Sequence, residues 1–72
     1  MNNKTTKIYN LGRKIFTRRK ELGMSQNTLA EKLDISREHL AKIEPAKRTV
    51  SLDLLIEIAD ALDTKVKDLI DF

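Results

Sequence analysis

Arg37, Glu38 and Lys42 are the residues whose types and spacing most directly permit chemistry. On a short helix at about 36–44 they fall on the outward phase, with His39 and Ala41 beside them. An arginine fork can donate two hydrogen bonds to guanine O6 and N7, and a glutamate can accept one from cytosine N4. The row therefore suits the edges of bases in a duplex groove. Solvated helix charges would look the same, and Glu38, which repels phosphate, stands evenly between the two readings.

Catalysis has little to work with here. The chain has no cysteine and one histidine, His39, which excludes thiolate and histidine-rich metal sites. No glycine-rich phosphate loop or nucleophile elbow occurs, and 72 residues can hardly enclose a pocket. We expect no enzyme, no catalytic residues, no metal and no cofactor.

The elements that must position the row follow from apolar periodicity. Residues 1–7 have none and are expected as a flexible N-terminal arm, with the domain proper at 8–72. Ile8, Leu11, Ile15 and Leu22 mark one face of a first helix, which Gly23 ends. Ser25 caps a second, short helix carrying Leu29, Ala30 and Leu33. Ser36 caps a third with Leu40 and Ile43, which Pro45 stops near Glu44. A basic loop, 45–50, leads to Ser51 and a fourth helix with the stripe Leu52, Leu55, Ile56, Ala59 and Leu62. Val66, Leu69 and Ile70 make a short fifth helix. No strand alternation, repeat or low-complexity tract is present.

Two short helices joined by so tight a turn must cross steeply, with Ala30 permitting close approach and Ile35 plugging the corner. This crossing is the geometry of a helix-turn-helix, in which the second helix enters the major groove and the first lies across the backbone.

Charge agrees in its distribution more than in its sum of +3. Residues 1–20 hold seven bases and no acid, whereas residues 51–72 hold two lysines against six acids. One end can thus face a polyanion, though a solvated surface on an ordinary helical domain would show the same asymmetry. The longest apolar run, Leu54-Leu55-Ile56, is far short of a bilayer span, and the N-terminus lacks the apolar stretch of a secretory signal. A single cytoplasmic domain with no membrane partner is expected.

The stretch from Arg18 to Leu62 resembles the phage-repressor and Cro-like (XRE) helix-turn-helix family, with the likeness extending over about residues 8–70. It rests on Leu22-Gly23-Met24-Ser25-Gln26, Leu29-Ala30, Ile35-Ser36, Ile43-Glu44, Lys47-Arg48 and the stripe Leu55, Ile58, Ala59 and Leu62. The resemblance implies an all-α, five-helix, lambda-repressor-like domain that binds a double-stranded DNA operator as a small prokaryotic or phage transcriptional regulator. It implies that Gln26 touches phosphate and braces the recognition helix. It also places the recognition positions on Ser36, Arg37, Glu38, His39 and Lys42, and phosphate contacts on Lys47 and Arg48. We assign base reading to Arg37, Glu38 and Lys42, and backbone contact or positioning to Gln26, Ser36, His39, Lys47 and Arg48. Three positions depart from the pattern: Asp34 replaces the glycine of the interhelical turn, Ala46 the loop glycine and Val50 the loop proline. Alanine resists positive φ, so the 45–50 loop is expected on another path.

Arg19 lies four residues past Ile15, on the apolar stripe, and requires a carboxylate; Glu44 is the candidate, and the resemblance implies the same structural ion pair. One recognition helix reads too few base pairs for specificity, so a homodimer is expected, through helix 5 and Leu69-Ile70-Asp71-Phe72. The main rival is an interaction module, such as an antitoxin that masks a protein partner with helices 4 and 5; an extensive exposed apolar patch there would favour it. RNA binding lacks stacking platforms, since Tyr9, Phe16 and Phe72 all lie off the recognition helix.

Overall fold

The computed structural model describes residues 3–70, which form five α-helices and, among the described residues, no strand. They are α1 (Asn3–Glu21), α2 (Gln26–Leu33), α3 (Arg37–Ile43), α4 (Leu52–Ala61) and α5 (Val66–Leu69). Three serines set three of the starts. The Ser25, Ser36 and Ser51 hydroxyls accept from the backbone N–H of Thr28, His39 and Leu54, so α2, α3 and α4 each begin with an orphan donor satisfied. At α5 the cap position is Lys65, which makes no such bond.

The ends of α1, α2, α3 and α4 share one device. After α1 the N–H of Gly23 bonds Lys20 O and that of Met24 bonds Arg19 O, the paired closure of a Schellman turn. The same pairing recurs at Asp34 and Ile35, at Ala46 and Lys47, and at Asp63 and Thr64. Each turn needs one left-handed residue, and only the first uses glycine: φ is 66° at Gly23, 56° at Asp34, 65° at Ala46 and 51° at Asp63. Ala46 thus corrects the expectation that the 45–50 loop takes another path. Two hydrogen bonds to the end of α3 hold alanine in a conformation that it disfavours.

One core joins all five helices. Ile15, Leu29, Leu40, Ile58 and Leu62 are fully buried, and Leu69 completes the set from α5. Each such side chain contributes about 1.5–3 kcal/mol through burial. Ala30 of α2 is buried in this core, and Ile35 packs against it, half-buried, from the turn between α2 and α3. A close approach also occurs at Gly12 of α1, where any Cβ would collide with the carbonyl oxygens of Glu44 and Ile43. The backbone of α1 therefore rests directly on the end of α3.

Three expectations change. Helix α1 starts at Asn3, so residues 3–7, expected as an arm, are helical; they carry no apolar stripe by which periodicity could find them. Leu52 (68% exposed) and Ile56 (45%) leave the expected α4 stripe, whose buried members are Leu55, Ile58, Ala59 and the adjoining Leu62. Leu22 is likewise exposed rather than core, and Leu69, expected with the exposed Ile70 on a dimer surface, is instead buried in the core.

Candidate nucleic-acid interface

The outward side of α3 is built by two local facts. Ser36 fixes where the helix begins, and Leu40 and Ile43 turn one side inward, so Arg37, Glu38 and Lys42 face solvent. None of the three side chains makes a hydrogen bond or ion pair among the described residues. Ser36 uses its hydroxyl on the His39 N–H, and His39 and Ala41 are half-buried. Lys47 and Arg48 are exposed in the following loop, and the backbone N–H of each bonds Lys42 O, at 2.8 and 3.1 Å. The basic loop is thereby pinned to the last turn of α3, and its charges are carried beside the recognition row.

Behind the row lies a buried polar network. Arg19 and Glu44 are 5% and 6% exposed and meet in a bidentate pair, Nε to Oε2 at 2.7 Å and Nη2 to Oε1 at 3.0 Å. Arg19 Nη1 donates to Met24 O at 2.8 Å, and its guanidinium lies 5.3 Å from the Phe16 ring centroid. Gln26 Nε2 donates to Glu44 Oε1 at 3.0 Å. One carboxylate at the end of α3 thus holds α1 through Arg19 and the first residue of α2 through Gln26. Among the described residues no buried side-chain nitrogen or oxygen lacks a partner. Such a fully satisfied network can offset the cost of burying its charges.

The basic first third is less free than its composition indicates. Arg19 is committed to Glu44, and Arg18 donates to Leu62 O (2.9 Å) and Asp63 O (3.1 Å), capping the carbonyl end of α4. Sequence reasoning assigned no role to Tyr9, Arg13 and Phe16. Their i, i+4, i+7 spacing sets a second row along α1, beside the core stripe. This row and Gln26, Glu44 and Pro45 line a surface cavity of about 260 Å³, and the Arg13 guanidinium sits 5.4 Å from the Phe16 centroid.

Residues 15–69 match the model of a helix-turn-helix family. The chain belongs to the XRE-type helix-turn-helix family. It is 38% identical over 56 residues to an uncharacterised helix-turn-helix-type transcriptional regulator of Rickettsia conorii, a match that takes in 78% of this chain and 45% of that protein. It is 45% identical over 49 residues to the control protein C.BamHI of Bacillus amyloliquefaciens, over 68% of this chain and 60% of that one. The chain thus spans less than two thirds of either relative. Among solved structures, the restriction-modification controller protein C.AhdI of Aeromonas hydrophila superposes with a TM-score of 0.84 at 30% identity, over 89% of this chain and 97% of that one. Among the described residues, no cluster of three or more His, Cys, Asp or Glu could hold a metal ion, and no helix is long and apolar enough to cross a membrane.

Proposed function

We propose that this chain is a sequence-specific DNA-binding transcriptional regulator of the cytoplasm that inserts α3 into the major groove of an operator. The observation that carries the reading is the pairing of two short helices, α2 and α3, joined by a three-residue turn, with an outward row, Arg37, Glu38 and Lys42, that has no partner within the described protein. Arg37 stands in the first turn past the Ser36 cap, the part of such a helix that reaches base edges. Arg37, Glu38 and Lys42 read bases; Gln26, Ser36, His39, Lys47 and Arg48 hold or position the backbone. The controller-protein relatives add support for a regulatory role.

The operator is bound by a two-fold dimer, because one helix of this length reads only a few base pairs. Ile70, exposed just past α5, and the exposed pair Leu52 and Ile56 on α4 supply apolar surface for self-association. Asp71 and Phe72, expected to join that surface, lie outside the described residues. The same exposed residues would serve a protein partner if the chain acted as an antitoxin. Selection of bound sites from a random duplex pool tests the reading. A palindromic motif with half-sites about one helical turn apart is expected; no enrichment over the starting pool would overturn it.

A further inference from the structure

We infer that the cavity lined by Tyr9, Arg13 and Phe16 of α1 and by Gln26, Glu44 and Pro45 is a seat for a DNA backbone phosphate in which α1 supplies the charge. The inference rests on the DNA-binding reading and extends it to a part of α1 to which that reading assigns no role. Three donors border the cavity. Arg13 has no carboxylate partner among the described residues, and its guanidinium is held at the Phe16 ring. The Tyr9 side chain is half exposed and its hydroxyl has no hydrogen-bond partner there. Gln26 commits one amide hydrogen to Glu44 and retains the second.

The one acid in the wall does not oppose an anion. Both Glu44 oxygens are engaged, by Arg19 and Gln26, and the carboxylate is 6% exposed. Arg19, behind the wall, neutralises Glu44, so the Arg13 charge in the lining is left unbalanced. A guanidinium held on an aromatic ring surrenders less side-chain freedom on binding than a free one. The location also fits. Gln26 belongs at once to this cavity and to the first turn of α2, the helix that lies across the DNA backbone in a helix-turn-helix.

Binding of the wild type, R13Q, R13K, Y9F and K67Q to a selected operator and to a scrambled duplex of equal length, at several salt concentrations, tests the seat. R13Q should weaken both duplexes about tenfold and lower the salt slope by about one unit per protomer. R13K should restore the slope. Y9F should weaken both duplexes by one common, smaller factor at unchanged slope, because it removes a hydroxyl and no charge. K67Q, which removes the same charge on α5, should leave the slope at its wild-type value. Thermal melts matching the wild type exclude misfolding as the cause. Wild-type binding with an unchanged R13Q slope overturns the seat alone, as does a K67Q loss equal to that of R13Q. A wild type that binds neither duplex removes the DNA-binding reading, and the seat falls with it.

Discussion

Arg19 and Glu44 are each held by more than the other, and that determines what their loss costs. Removing one strands a buried charge, so Arg19→Met or Glu44→Leu alone should destabilise by about 3–5 kcal/mol, whereas the double variant should recover much of the loss. A double-mutant cycle by urea denaturation measures this; coupling below about 0.5 kcal/mol would mean that the pair acts as two independent charges. Ala46 presents the opposite case, a residue working against its own preference at φ 65°. The left-handed conformation costs an L-residue about 1–2 kcal/mol, and glycine returns about 0.5–1 kcal/mol of that as unfolded-state entropy. Ala46→Gly should therefore stabilise by about 0.5–1 kcal/mol, visible as a higher denaturation midpoint; a lower midpoint would show that the methyl group contributes more by packing than it costs by strain. Both residues were noticed in the sequence, Arg19 because a charge stood on an apolar stripe. The conformation of Ala46 was not legible, because it is imposed by hydrogen bonds to Ile43 and Lys42 that composition does not encode.

At the scale of elements, the helix boundaries most legible in the sequence were those with local chemistry. Ser25, Ser36 and Ser51 announce starts, and Gly23 and Pro45 announce ends. The start of α1 had no such mark. Helix α4 misled for a different reason: Leu52, Leu54, Leu55, Ile56 and Ile58 put apolar residues on several sides, so periodicity alone cannot choose the buried one. Gly12 was overlooked because a close backbone contact leaves no hydrophobic trace. The division of labour between α3 and its following loop yields a prediction in kind. Arg37→Ala should cost about 1–3 kcal/mol on the best operator and relax preference at one base pair per half-site. Lys47→Ala and Arg48→Ala should weaken all duplexes alike and each reduce the salt slope by about one unit per protomer. Titrations against operator and scrambled DNA separate the two classes. An Arg37→Ala loss that is equal on both duplexes would reassign Arg37 to phosphate.

For the whole molecule, the distribution of charge and apolar surface matters more than either total. The acidic last third and the exposed Leu52, Ile56 and Ile70 set α4 and α5 apart from the basic recognition loop. An acidic surface repels DNA, which favours contact with protein there. Sedimentation should show a monomer–dimer equilibrium that shifts to dimer with operator. Leu52→Lys with Ile56→Lys should shift it to monomer and abolish cooperative operator binding; an unchanged equilibrium would exclude α4 from the dimer. Monomer alone at tens of micromolar, with operator present, would contradict the dimer.

The separation of roles on α3 has an evolutionary consequence. Leu40, Ile43 and Glu44 secure the helix to its neighbours, while Arg37, Glu38 and Lys42 touch nothing that the fold requires. Exposed positions of this kind tolerate exchange within about 0.5 kcal/mol. Operator preference can therefore drift in this lineage almost free of structural penalty. Two descendants could acquire incompatible target sites while remaining superimposable, and their regulatory circuits would become insulated from each other without any change in architecture.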